Sequence, residues 1–337
     1  MISSKPNKSE LIQIFQNLSR EVFIGIRNSI REKILEIERI FDVNSKSEFE
    51  VTKWYRNEFQ RNDKNFGYEK NYQNDDFDIE KLDDSIDRHL DNHGRVIEKN
   101  VQNINSNNNF GGGEISIIRG NVFDKMGVNF ANVWGNMPKY LDNSVEKFWA
   151  CGVSLVAHPK NPFVPAIHMN IRMMVTEKNY WFGGGIDLNP VITNDNETIF
   201  FHKKLKEICD KYNNSYYKKF SNWCDDYFQL QHRNSYRGVG GIFFDKLGEG
   251  DVDGDEIENI HNFIADLGGN FNEIYGKIVY DNIKKKYGEK ELESQRKMRR
   301  DYAEFNLLYD RGIKFGLQTG GNVDGMFMSL PPEAFWY

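Results

Sequence analysis

The stretch AIHMNIRMMVT at residues 166–176, followed by WFGGGIDLNP at residues 181–190, decides how this chain is interpreted. Side chains two positions apart share a face of a β-strand. If the first stretch is a strand, His168, Asn170 and Arg172 lie on one face and apolar residues on the other. An imidazole, an amide and a guanidinium in one row suit a pocket for a carboxylate-bearing ligand. The pattern alone leaves an ordinary strand with a solvated polar face as the alternative.

Bulk composition argues against several classes of protein. The chain has 337 residues and a formal net charge of −6, which argues against non-specific nucleic-acid binding. It has no apolar run near the roughly 20 residues that span a membrane, and its first residues show no presequence pattern. Its three cysteines, Cys151, Cys209 and Cys224, follow no metal-ligand spacing, as expected of reduced thiols. We therefore expect a cytoplasmic protein with no membrane span and no nucleic-acid partner.

The chain is expected to form one domain with a polar insert. In residues 1–43, apolar side chains recur every three or four positions from Leu11 to Phe41, which predicts one long amphipathic helix. Residues 44–110 are dense in Asn, Asp, Lys and Glu, and parts of such a segment bury too little apolar area to fold. We expect the insert to be partly flexible. Residues 111–337 are the main body, in one domain with the N-terminal helix.

Beyond residue 111, short β-like runs give way to helical patterns and then to β-like runs again. This order favours an α+β fold with an antiparallel sheet over a doubly wound parallel one. A nucleotide cofactor has no support, because neither GxGxxG nor a P-loop opens a helix. The predicted strands are 115–119, 131–134, 152–157, 166–176, 180–182, 240–244, 304–309 and 325–329, and the predicted helices are 197–214, 215–231, 256–286 and 290–301.

Four histidines invite a metal hypothesis. The gaps between His158, His168, His202 and His232 are 10, 34 and 30 residues, which fit no HxxxH or CxxC pattern. Ligands can converge in space, so the spacing leaves metal binding unsupported but open. His168 is the one expected in the pocket, where it can donate or accept a proton. A hydrogen-bonded core histidine is the alternative, and we favour it for His202.

Asp187 follows the glycine run at 183–185. Glycines allow the backbone to approach a flat ligand closely, and a carboxylate at the end of the run can bind the ligand's N–H groups. The alternative is a turn aspartate that accepts from backbone amides.

These residues belong to a longer set of blocks that resembles the oxygen-dependent coproporphyrinogen III oxidases, enzymes of haem synthesis. The blocks include HRNSYRGVGGIFFDKL at 232–247 and MSLPP at 328–332. The others are residues 111–135, 154–172, 181–190 and 304–321, and all six occur in the family's order. The resemblance implies one large antiparallel sheet flanked by helices on both faces, a single domain and a homodimer.

The resemblance also implies roles for particular residues. Asp187 meets the ring nitrogens of a tetrapyrrole and takes a pyrrole proton, and Arg172 pairs with a propionate. Dioxygen is the co-substrate, no organic cofactor is needed, and a divalent metal is not required. The implied catalytic residues are Asp187, His168 and Arg172. The implied substrate-binding residues are Ser154, Asn170, Arg172, Arg237, Arg311, Gly320, Gly321 and Asn322, and the family's candidate metal ligands are His158, His168, His202 and His232.

Asn189 stands where the family usually has a threonine, which is a mild departure, and two other departures bear on substrate binding. Asn322 follows Gly320 and Gly321 where an arginine is usual, and an amide cannot replace a bidentate cationic clamp. Ser235 stands where a glutamate is usual. These departures bear on substrate affinity and leave the implied catalytic set in place.

The expected function is the oxygen-dependent oxidative decarboxylation of coproporphyrinogen III. The ring A and ring B propionates become vinyl groups, which gives protoporphyrinogen IX. One alternative is a tetrapyrrole-binding protein with weakened or lost activity. The other is a hydrolase or oxygenase that uses a histidine-bound metal.

Overall fold

The computed structural model describes residues 8–55, 110–136, 147–250, 254–318 and 321–336. These residues form a seven-stranded antiparallel sheet in the order β1-β2-β3-β4-β5-β6-β9. Strands β2 to β6 follow one another along the chain, and β9 returns to the β6 edge. The α+β class with a large antiparallel sheet is therefore confirmed. The strands are β1 (Glu50–Tyr55), β2 (Phe110–Ile118), β3 (Phe123–Asn136), β4 (Lys147–Pro159), β5 (Ala166–Thr176), β6 (Tyr180–Asn189) and β9 (Gly241–Leu247).

Helices precede, interrupt and follow these strands. A small hairpin of β7 (Gln229–Leu230) and β8 (Ser235–Tyr236) encloses a 3₁₀ turn at Gln231–Arg233. The described helices are α1 (Lys8–Phe41), α2 (Asp195–Tyr212), α3 (Tyr216–Tyr227), α4 (Gly254–Gly269), α5 (Phe271–Asn282), α6 (Glu289–Leu308), α7 (Arg311–Gln318) and α8 (Val323–Phe327).

One face of the sheet packs against helices and is called the core face. The apolar side chains of β5 point to it, as the alternation predicts, and Ile167 and Ile171 are fully buried there. Helix α1 lies against β3, β4 and β5. The packing is close at Gly268 of α4, where a Cβ atom would stand 2.5 Å from Ile26 Cδ1. Full burial of an isoleucine side chain contributes about 1.5–3 kcal/mol to the stability of the fold.

The described residues cover the opposite face only in part, and this face is called the open face. Tyr302 of α6 stands edge-on to His158, with ring centroids 5.1 Å apart, and Met328 lies against Gly127. Helices therefore lie on both faces, as predicted. Elsewhere on the open face the polar side chains of β5 are half-buried, so a ligand can reach them.

Two predicted strands are wrong. Residues 304–309 lie largely in α6, because its buried side chains recur at Gln295, Arg299, Tyr302 and Asn306, which is the period of a helix. Residues 325–329 belong to α8 and the turn after it. The EFNLLY sequence looks like an alternating run only when it is considered without the residues before it.

Several element boundaries also differ from the prediction. The predicted helix 256–286 is divided at Asn270 into α4 and α5. Within the predicted insert, residues 50–55 form β1, which pairs with β2 as the edge strand. The remainder of the insert lies outside the described residues except for 44–49 and 110, so the domain division stays a prediction. Among the described residues, no helix is long and apolar enough to cross a membrane.

Candidate active site

The polar row predicted on β5 meets a carboxylate on β6. Opposite residues in antiparallel strands share a face, and His168 is opposite Asp187. His168 Nδ1 lies 2.8 Å from Asp187 Oδ1. The imidazole side chain is 15% exposed, whereas Asp187 is 2% exposed. The pair therefore joins a buried charge to a side chain at the open face, and Asp187 lies within a strand, not in a turn.

Both carboxylate oxygens of Asp187 have partners. Arg237 Nη2 donates to Oδ1 at 2.9 Å and to Oδ2 at 2.8 Å, and Asn189 Nδ2 donates to Oδ2 at 2.8 Å. Burial opposes the charged carboxylate, yet the Arg237 charge and the hydrogen bonds from His168 and Asn189 outweigh it and lower the pKa of Asp187. Asp187 is therefore ionised at neutral pH.

Aromatic rings enclose Arg237. Its guanidinium carbon lies 4.0 Å from the ring centroid of Phe228 and 4.4 Å from that of Tyr302. Nη1 donates to Asn306 Oδ1 at 2.7 Å, and the side chain is 2% exposed. The predicted contact of Arg237 with substrate stays a prediction. In this structure the guanidinium is buried and its carboxylate partner is Asp187.

Arg172 extends from the same face, further along β5. Its Nη1 donates to Asn170 Oδ1 at 3.1 Å and its Nη2 to Asp245 Oδ1 at 2.8 Å. Arg172 and Asp245 are 30% and 27% exposed. These contacts use two of the five N–H donors of a guanidinium, so Arg172 can also bind a carboxylate from outside the protein.

Small residues on neighbouring strands flank the polar row. Gly183 and Gly185 lie on the β6 side, and Gly152 and Ser154 lie on the β4 side. Opposite residues share a face, so these positions form a floor with little side-chain volume around Arg172. Such a floor leaves room for a flat ligand, as the glycine run predicts.

A cavity of about 290 Å³ adjoins Asp187 at the β6–β9 end of the sheet. It is lined by Asp187, Phe228, Arg237 and the turn at 238–240. The turn depends on glycine, because Gly240 has a φ of +78°, which other residues rarely adopt.

The four predicted histidine ligands have separate environments. His158 Nε2 lies 2.9 Å from a backbone carbonyl, and burial lowers the pKa of His158 to about 3. His202 contacts a tyrosine hydroxyl and a carbonyl, as expected of a core histidine. His232 contacts a tyrosine hydroxyl and a glutamate, whereas His168 contacts Asp187. In the described part of the chain, no group of three or more His, Cys, Asp or Glu side chains is arranged to hold a metal ion.

The remaining predicted substrate contacts follow α6. The guanidinium carbon of Arg311 lies 5.0 Å from the ring centroid of Tyr227. Gly321 donates its N–H to a backbone carbonyl of α7 at 2.8 Å, and Asn322 Oδ1 accepts the Gly325 N–H at 2.8 Å as the N-cap of α8. Gly320 lies outside the described residues.

Three residues of this site were not predicted from the sequence, namely Asn189, Asp245 and Asn306. Asp245 had a detectable signal, because it alternates with Ile242 and Phe244, which are fully buried on the core face. The contact of Asn306 with Arg237 joins residues 69 positions apart, and nothing local in the sequence indicates it.

Comparisons with known proteins point to one family. A family model described as coproporphyrinogen III oxidase matches residues 76–337. The oxygen-dependent coproporphyrinogen-III oxidase of Rickettsia bellii (strain OSU 85-389) is 46% identical over 232 residues, which cover 67% of this chain and 81% of that protein. The protein of the same name from Rickettsia rickettsii (strain Sheila Smith) is 47% identical over the same length and shares of the two chains. This chain belongs to the coproporphyrinogen III oxidase family.

Proposed function

We propose that this protein catalyses the oxygen-dependent oxidative decarboxylation of coproporphyrinogen III in haem biosynthesis. The ring A and ring B propionates become vinyl groups, and protoporphyrinogen IX is released. One observation carries the proposal, namely that His168, paired with Asp187, shares an open face with Arg172 in a chain of this family. The named relatives are oxygen-dependent coproporphyrinogen-III oxidases, which supports dioxygen as the acceptor.

The reaction balances with dioxygen as the oxidant. For each propionate, –CH₂–CH₂–COO⁻ + O₂ + H⁺ gives –CH=CH₂ + CO₂ + H₂O₂. The bond to the carboxylate breaks and its electrons form the double bond, while the β-hydrogen and two electrons pass to dioxygen. The electron-rich porphyrinogen can react with dioxygen itself. We therefore propose no organic cofactor and no required divalent metal.

His168 is proposed to accept a pyrrole proton of the substrate and later to return it. The ionised Asp187 carboxylate can only accept a hydrogen bond, so Nδ1 of His168 carries the proton and Nε2 of the neutral ring keeps its lone pair. Asp187 then fixes the tautomer and stabilises the imidazolium, as a buried carboxylate does beside other catalytic histidines. Direct contact of Asp187 with pyrrole nitrogens fits less well, because both of its oxygens have protein partners.

Arg172 is proposed to hold the reacting propionate. A guanidinium binds a carboxylate with defined geometry, and fixing the reacting groups supplies much of an enzyme's rate. Asn170 and Ser154 on the same face would contact the tetrapyrrole, and Arg311 and Gly321 are proposed as further contacts. The homodimer and the cytoplasmic location also remain proposals of this kind.

The decisive experiment compares conversion with and without oxygen. Purified protein receives coproporphyrinogen III in air and under nitrogen, each with and without EDTA, and the porphyrins are then oxidised and separated by fluorescence-detected chromatography. We expect protoporphyrin only from the aerobic samples, at a rate that EDTA does not change. Equal conversion under nitrogen refutes the proposal. Tetrapyrrole binding without aerobic conversion, by protein with a native circular dichroism spectrum, identifies the non-catalytic alternative, and loss of conversion with EDTA identifies the metal-dependent one.

A further inference from the structure

We propose that Asp245 is a positioning residue, which fixes the Arg172 guanidinium over Gly183 in the orientation that receives a substrate carboxylate. This inference rests on the proposed function. The contact joins strands that are not neighbours, since Arg172 lies on β5 and Asp245 on β9, with β6 between them. It therefore crosses the floor of the open face.

A bulge places Asp245 at the right position. Gly184 is opposite Phe244, but Phe182 is opposite Leu247, so the register slips by one residue between these pairs. Asp245 and Lys246 together then lie opposite Gly183, and Lys246 takes a φ of +53°. Such bulges re-aim side chains and are frequent beside active sites.

Gly183 makes the contact geometrically feasible. A Cβ atom at residue 183 would stand 2.7 Å from Arg172 Nη2 and 2.7 Å from Asp245 Oδ1. Guanidinium and carboxylate thus meet directly above this α-carbon. Both clashing atoms are the far ends of side chains, so an added methyl group would displace the ion pair and leave the backbone in place.

The contacts of Arg172 favour positioning over competition with a ligand. Asn170 holds Nη1 and Asp245 holds Nη2, so the two terminal nitrogens are fixed from two sides and the guanidinium plane cannot turn freely. Asp245 engages through one oxygen only. Three N–H donors of Arg172 remain for a bound propionate. If Asp245 instead occupied the place of the substrate carboxylate, it would pair with the guanidinium through both of its oxygens.

The test is a double-mutant cycle. Asp245→Ala is compared with wild type, and then in an Arg172→Ala background. Asp245→Asn keeps the oxygen acceptor without the charge, and Gly183→Ala inserts the methyl group. The matched controls are Gly269→Ala, where an added Cβ meets nothing within 4 Å, and Asp281→Asn, in the exposed pair with Lys277. Thermal unfolding sets an assay temperature at which every variant is folded.

We expect Asp245→Ala and Gly183→Ala to lower kcat/KM about tenfold, with kcat falling more than KM rises, because a misdirected clamp still binds but misplaces the carboxylate. Asp245→Asn should recover part of the loss. In the Arg172→Ala background the further loss should be less than about twofold, because Asp245 acts through Arg172. Additive losses, a lower KM in either Asp245 variant, or unchanged kinetics would each overturn the proposal.

A binding measurement tests the role of Asp245 even if the proposed function is wrong. If wild-type protein does not convert coproporphyrinogen III, the same cycle is measured as the Kd of coproporphyrin III by fluorescence quenching. The positioning role is supported if Asp245→Ala raises the Kd in the wild-type background but leaves the Kd unchanged in the Arg172→Ala background. Tighter or unchanged binding overturns it.

Discussion

Two arginine–aspartate pairs lie on the same face of the sheet in opposite environments. In the Arg237–Asp187 pair both side chains are 2% exposed, whereas in the Arg172–Asp245 pair they are 30% and 27% exposed. Aromatic rings enclose the first guanidinium, and both of its terminal nitrogens have protein partners. The second is held at two nitrogens but open to solvent. The same ion pair can thus be a fixed electrostatic element or part of a ligand-binding surface, depending on burial.

Burial also changes how strongly each pair affects stability. Removal of one partner of a buried pair leaves an uncompensated charge and destabilises a protein by about 3–5 kcal/mol. An exposed pair contributes about 0–1 kcal/mol. If the two pairs differ as their exposure indicates, substitutions should separate stability from activity between them.

The largest expected effect is on unfolding. Arg237→Ala should lower the free energy of unfolding by about 3–5 kcal/mol, because Asp187 stays buried without its cation. Arg172→Ala should lower it by less than about 1 kcal/mol and instead reduce both kcat and substrate affinity. Urea unfolding monitored by circular dichroism measures the first quantity. Equal losses of stability in the two variants would show that exposure does not distinguish the pairs.

The next effect is on turnover. Asp187→Asn should lower kcat by about 10²–10³-fold, because the amide no longer enforces one tautomer of His168 or stabilises its protonated form. The loss of the charged partner of Arg237 predicts lower stability as well. Turnover must therefore be measured below the unfolding transition, with Asp281→Asn as the control. A kcat within twofold of wild type would remove Asp187 from the mechanism.

The sequence was sufficient to predict that Arg172, the cation of the exposed pair, lies on a polar strand face. His168, Asn170 and Arg172 alternate on one strand, and a period of two residues is a local property that needs no tertiary information. The order of β-like runs and helical patterns along the chain predicted the antiparallel sheet. Strands 115–119 and 152–157 were predicted too short. For the first, the glycines at 111–113 weaken the local signal.

The buried pair could not be predicted in the same way. Arg237 meets Asp187 across 50 positions and Asn306 across 69, and nothing local in the sequence indicates either contact. Its burial follows from the aromatic side chains of α6 and from Phe228. Because the predicted helix ended at residue 301 and residues 304–309 were interpreted as a strand, Tyr302 and Asn306 were not expected to lie together on one helix beside Arg237.

A third ion pair, between Glu304 and Arg233, allows a graded test because its exposures are 11% and 31%. Hydrogen bonds from Arg233 outweigh burial and lower the pKa of Glu304 to about 2, from an ordinary value of 4.5. A depressed carboxyl pKa stabilises the folded state above the unfolded pKa, and this stability is lost as pH falls through the folded value. Glu304→Gln should therefore be less stable than wild type by about 1–2 kcal/mol at pH 7 after allowance for solvent screening.

The pH dependence of this stability difference tests whether the charge of Glu304 is its cause. The difference between wild type and Glu304→Gln should shrink from about pH 4.5 and vanish near pH 2, as measured by urea unfolding at several pH values. A difference that persists at pH 2 would mean that lost packing, and not the charge of Glu304, destabilises the variant.

The smallest effect concerns Asn322, which departs from the family pattern. As the N-cap of α8 it accepts the Gly325 N–H, and its replacement by Arg should cost about 0.5–1 kcal/mol of stability. If the family arginine normally binds a substrate carboxylate, Asn322→Arg should also lower KM, by roughly fivefold at most for a half-exposed pair, with little change in kcat. Asn322→Ser keeps a capping oxygen and should change neither quantity. Steady-state kinetics and thermal unfolding of both variants separate the two effects, and an unchanged or raised KM in Asn322→Arg would mean that this chain binds its substrate without a cation at residue 322.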